Sequence, residues 1–199
     1  MKRVATVAVL STLVFGSAVA AASPAPTGPE GPPLERGPAL APPASPPLGG
    51  SVDGIKCEAR EQVLFHVHAR LTVFVNGHSR QVPPGIGIAE PQAQRTAAGA
   101  FVVAGACFSW LHTHAGDGII HIESPIRRTF TLGDFFDLWN VRLDASRVGS
   151  ASGRVSAYLD GKPWHGNLRS IPLHPHAQIQ LDVGQPLVAP VHITRWYGL

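Results

Sequence analysis

Val63-Leu64-Phe65-His66-Val67-His68-Ala69-Arg70-Leu71-Thr72-Val73-Phe74-Val75 alternates over its whole length. Its odd positions are all apolar, and its even positions carry His66, His68, Arg70 and Thr72. A period of two means a strand with one face turned to a core. Asn76-Gly77 directly after it reads as a tight hairpin turn. Val82 to Ile88, interrupted by Pro83-Pro84-Gly85, reads as a short edge piece and a loop, and Glu90 to Gly99 as polar and irregular. Phe101 to His114 is a second extended region, Ala115 to Gly118 a turn, Ile119 to Glu123 the returning strand, and Ile126 to Phe130 another short strand. Thr131 followed by Asp134 is a helix N-cap signature, and Leu132, Phe135, Phe136 and Trp139 then repeat at helical spacing. Further strands are expected at Arg154 to Leu159, Gln178 to Val183 and Val191 to Trp196, with a turn at Asp160-Gly161. The expectation is a mainly β, antiparallel sandwich or barrel-like domain carrying one short α-helix.

The chain of 199 residues is long enough for one domain of about 150 residues or two small ones. Residues 1–20 have the three parts of a secretory signal peptide: a basic start at Lys2-Arg3, an apolar run from Val4 to Phe15, and Ala18-Val19-Ala20 as the cleavage site. The apolar run is shorter than the ~20 residues of a membrane span, so membrane attachment is expected only if the segment stays uncleaved. Residues 21–50 hold 10 of the 19 prolines. They read as a disordered, extended spacer, since they lack the large side chains that offset ordering entropy. Residues 51–199 then form a single His-rich β domain in a secreted or periplasmic setting. In such a compartment Cys57 and Cys107 are expected as a disulfide, closing a loop worth roughly 4 kcal/mol. The alternative is Cys107 as a thiolate metal ligand, five residues before His112.

Charge excludes one class of partner. Lys+Arg is 16 against 13 for Asp+Glu; without Lys2 and Arg3 this is 14 to 13, or +1. A near-neutral domain does not neutralise nucleic-acid phosphates. Two cysteines exclude a cysteine-rich zinc module, and one Met excludes a Met-rich copper site.

Ten histidines carry the functional signal. Three His-x-His pairs occur, His66/His68, His112/His114 and His174/His176, and residues i and i+2 of a strand share a face about 6.6–6.8 Å apart. An even loop between His114 and Ile119 puts His112, His114, His121 and Glu123 on one face, with Leu111, Ile120 and Ile122 on the core face. If the His66/His68 strand lies beside this hairpin, five imidazoles share one surface. Imidazoles suit copper or zinc. The candidate metal ligands are therefore His66, His68, His112, His114 and His121, with His176 weaker because it flanks Pro175. A tetrahedral ion cannot use all five, so the surplus rings either orient ligands or hold a second ion. Glu123 is a fourth ligand, an orienting group or a general base. Trp110 shares the parity of His112 and is read mainly as core.

Three readings follow. One is a secreted binding protein for one transition-metal ion, copper or zinc. Another is a metalloenzyme on the same site, using zinc hydroxide or copper–oxygen chemistry on a small-molecule substrate. The third is a pH-responsive envelope module without metal.

The strings Phe65-His66-Val67-His68-Ala69, Val75-Asn76-Gly77, Trp110-Leu111-His112-Thr113-His114, Gly118-Ile119-Ile120-His121-Ile122-Glu123-Ser124-Pro125 and Thr131-Leu132-Gly133-Asp134-Phe135-Phe136-Asp137-Leu138-Trp139 together resemble a family of small secreted or membrane-tethered bacterial and archaeal hypothetical proteins. The resemblance covers roughly 60–190. It implies a unit fold and brings no activity with it. Phe65-His66-Val67-His68 also resembles the first ligand string of copper-zinc superoxide dismutase, whose later ligand segments have no counterpart here.

Overall fold

The computed structural model describes residues 27–199; the expected signal peptide and its cleavage point fall outside them. The organising element is a seven-stranded sheet curled into a half-barrel. Its strands are β1 (Phe65–Val75), β2 (His78–Arg80), β3 (Leu111–His112), β4 (Ile119–Ser124), β5 (Val155–Leu159), β6 (Lys162–Trp164) and β7 (Gln178–Val183). The order across the sheet is β6-β5-β7-β1-β4-β3, with β2 folded back on the end of β1. Neighbours are antiparallel except β7 and β1, which run parallel. The turns at Asn76-Gly77 and Asp160-Gly161 both use positive φ at two successive residues, the requirement of a two-residue hairpin loop.

One face of the sheet carries the hydrophobic core. Ala69, Leu71 and Val73 of β1, Ile120 and Ile122 of β4 and Leu111 of β3 pack with α1 (Leu132–Leu138). The helix begins where Thr131 and Asp134 cap each other: the Thr131 side chain accepts from the Asp134 N–H, and the Asp134 carboxylate accepts from the Thr131 N–H. Phe135, Phe136 and Trp139 are fully or almost fully buried, each such side chain contributing about 1.5–3 kcal/mol of apolar burial.

The other face of β1 is also covered, unlike the one-faced strand expected from its alternation. His68, Arg70 and Thr72 are all buried. The cover is the proline-rich segment itself, which from residue 27 onward is a strap and not a free spacer. Its backbone is tied to the domain along its length: Glu35 N–H to Gly116 O (2.9 Å), Leu40 N–H to Gln81 O (2.9 Å), and Gly49 N–H to Cys57 O (2.9 Å). The Pro42 carbonyl accepts from Trp139 Nε1–H at 2.8 Å, and Leu40 joins the core. Main-chain hydrogen bonds, the Leu40 side chain in the core and the Glu35 carboxylate, which accepts from the Val82 N–H, hold this segment down.

Other expectations change in detail. Glu90 to Gly99 is not irregular but forms most of a hairpin, Gln92–Thr96 with Gly99–Ala104. Ile126 to Phe130 and Val191 to Trp196 are not strands. The second segment runs along β7 on side-chain bonds instead: Val191 and Ile193 N–H donate to the Gln180 and Gln178 amide oxygens of β7. Cys57 and Cys107 are disulfide-bonded, which removes Cys107 as a thiolate ligand. The bridge joins strand Ile55–Glu58 to strand Cys107–Ser109.

Candidate metal centre

The register of three strands builds the site. His68 of β1, His121 of β4 and His112 of β3 are direct cross-strand partners in one row. Glu123 and His66 are partners in the next row. His114 lies two residues beyond His112. Leu111, Ile120 and Ile122 point to the opposite, core face, because successive side chains alternate across a strand.

Four ligand atoms converge first. His66 Nε2 is 3.1 Å from His68 Nε2 and 3.1 Å from Glu123 Oε1. His121 Nδ1 is 3.2 Å from His68 Nε2 and 3.3 Å from Glu123 Oε1. Ligand atoms about 2.0–2.1 Å from a tetrahedral zinc lie about 3.3–3.4 Å from one another, so these spacings fit the edges of a ligand tetrahedron. The four atoms lie within 4.8 Å of one another, as do one atom each from His112, His114 and His121.

Three of the rings are oriented by acceptors behind them. His112 Nδ1–H donates to Ser109 O at 2.8 Å, and His114 Nδ1–H to Val102 O at 2.6 Å. His121 Nε2–H donates to Glu30 Oε1 at 2.6 Å. Each bond fixes the tautomer and leaves the other nitrogen aimed into the cluster, the usual support of a metal-bound histidine. Aromatic rings hold the planes: Phe101 stacks on His114 at 5.1 Å, and Phe108 meets His112 edge-on at 5.8 Å.

Electrostatics divides the histidines. Burial, reinforced by His121 and His66, pushes His68 down to about 3. Burial and the charges of His121 and His114 push His112 well below its ordinary value. Burial also opposes charge on His121, but its hydrogen bonds to Glu123 and Glu30 outweigh this and raise it to about 9. A neutral imidazole is a ready ligand, whereas His121 holds a proton that an ion has to displace. Glu123 is buried, and its Oε2 has no hydrogen-bond partner.

His176 is not brought in. Its ring stacks on Trp196 at 4.4 Å and its Nε2 is 2.9 Å from Leu199 O. His174 instead meets Asp160 at 3.0 Å. Trp110 belongs to the core. Two carboxylates that the sequence reading passed over do belong to the site. Glu30 comes from the strap, and Glu61 lies 3.4 Å from His114 Nε2. The available signal was that Glu30 and Glu35 are the only acidic residues in a stretch of prolines and small residues. His66 and Glu61 are the exposed members, with side chains about 42% and 39% accessible. A recess of about 260 Å³ opens beside His66 and His68, walled by Pro175 and His176.

An arrangement of imidazoles and carboxylate with one exposed edge can hold a divalent ion and leave it reachable. Compared with protein-family models, with curated proteins and with solved structures, the chain matches none.

Proposed function

We propose that the protein is an extracytoplasmic transition-metal-binding protein that takes copper or zinc at the face formed by β1, β4 and β3. The observation carrying this reading is the set His66 Nε2, His68 Nε2, His121 Nδ1 and Glu123 Oε1, whose neighbouring atoms stand 3.1–3.3 Å apart. Nitrogen-rich sites of this kind favour copper and zinc over magnesium or calcium. The disulfide fits an oxidising compartment. Metal analysis of protein purified without an affinity tag tests the reading. Stoichiometric copper or zinc, abolished by His68→Ala with His121→Ala while the circular dichroism is kept, is the expected result. Metal-free protein that binds neither ion at micromolar concentration would remove it.

The recess beside His66 favours a second reading, a metalloenzyme in which a small molecule reaches the bound ion. There Glu123, at hydrogen-bonding range of His66, serves as general base. Turnover of ester, bicarbonate or superoxide probes by the metal-loaded protein, lost in Glu123→Gln with the ion still bound, separates catalysis from binding alone.

A further inference from the structure

We propose that the cluster holds two ions, not one. The second is bound by His112 Nε2, His114 Nε2 and Glu61, and is joined to the first through the two oxygens of Glu123; this rests on the metal reading above. The first ion uses His66, His68, His121 Nδ1 and Glu123 Oε1, which fills a tetrahedron. His112 and His114 remain, and their geometry is not that of idle residues. Both Nδ1 atoms face backbone carbonyls, which only accept, so both must donate there. The two Nε2 lone pairs therefore confront each other at 3.1 Å. Two lone pairs at that distance repel unless a cation, a proton or a metal ion, stands between them.

Further groups complete a ligand set around that gap. Glu61 Oε1 is 3.4 Å from His114 Nε2 and 4.0 Å from His112 Nε2. Glu123 Oε2 is 3.9 Å from His112 Nε2 and is buried without a hydrogen-bond partner. A carboxylate oxygen kept from water with no donor calls for a cation. The other oxygen of the same carboxylate already faces His66 and His121, so Glu123 spans the two half-sites. Carboxylate-bridged pairs of ions typically stand about 3.5–4 Å apart. Two imidazoles with two carboxylates suit zinc or copper(II).

The test counts ions per chain after the tag-free protein is titrated with zinc, or with copper(II), and desalted. Two per chain is expected. One per chain overturns the second site and leaves the metal reading standing; none overturns both. Glu61→Gln lies at the rim, where its replacement leaves the core untouched. It should weaken one ion about tenfold or more and leave the other unchanged. Both affinities unchanged from the parent in that variant, or weakening of both alike, would contradict the assignment. The bridge has its own readout. Two copper(II) ions sharing Glu123 should couple, giving a reduced spin count and a half-field resonance, whereas full spin count from two independent coppers would rule the bridge out.

Discussion

At the scale of single residues, His121 governs how the site responds to pH. Its pKa of about 9 means that at neutral pH a proton occupies the position an ion would take. The histidine is protonated below that value, so metal affinity should fall about tenfold per pH unit below pH 9 and level off above it. Chelator competition from pH 6 to 10 measures this, and a flat profile would show that His121 is not a ligand. Glu30→Gln keeps an acceptor for Nε2–H but removes one of the two negative charges that raise the ring. The levelling point should therefore move to lower pH. Glu30→Ala removes the acceptor as well, and should weaken binding about 10- to 100-fold, as losses of groups behind a metal-bound histidine do. His68 and His112, already neutral through burial, add no such slope above pH 6.

At the scale of elements, the shared face of His112, His114, His121 and Glu123 was legible because parity admits one choice: an odd loop would have set Ile120 and Ile122 beside the histidines. That β1 lies alongside and adds His66 and His68 entered only as a condition, which the strand register meets. The helix was legible from Thr131 and Asp134, and replacing Thr131 with Ala should cost about 1 kcal/mol in denaturant unfolding. What stayed hidden has a common cause. The strand at 92–96 is polar but for Ala93 and exposed along its length, so no apolar alternation announces it, whereas its partner at 99–104 carries Phe101, Val102 and Val103 of the extended region. The groups that orient His112 and His114 are carbonyls of Ser109 and Val102, and a carbonyl has no residue type to read. Gly87 shows the same point in a side chain that is missing. It has φ +72, and a Cβ there would stand 2.2 Å from Leu111 O and 3.1 Å from His112 Cβ. Gly87→Ala should therefore cost about 1–3 kcal/mol, and should shift β3 enough to weaken ions held by His112 more than those held by His66.

At the scale of the whole molecule, the strap and the disulfide join the site to the rest of the fold. Reducing Cys57–Cys107, separated by 50 residues, should lower stability by about 4 kcal/mol on the chain-entropy model. It should also loosen the segments that carry Glu61 and Ser109. The strap brings Glu35 over β1, where burial, against the opposing pull of the Val82 N–H and Arg70, raises its pKa to about 8. The folded state thus holds a proton that the unfolded chain releases near 4.5, so the contribution of Glu35 to stability is full below about pH 4.5 and should be lost as pH rises to about 8. Glu35→Gln, measured by urea unfolding at pH 5 and pH 8.5, should flatten part of that decline. The parallel pairing of β7 with β1 sets a timetable for all of this. The central strand lies between partners from 119–124 and 178–183, so its second edge stays open until residues 178–183 have been delivered. During that interval, five imidazoles and an unpaired strand edge are exposed together. Ions present too early have unfolded ligands to capture. Refolding begun with excess zinc or copper should be slower and should yield more aggregate than refolding in chelator followed by loading, the outcome expected if the strand order requires folding to precede any loading of the proposed site.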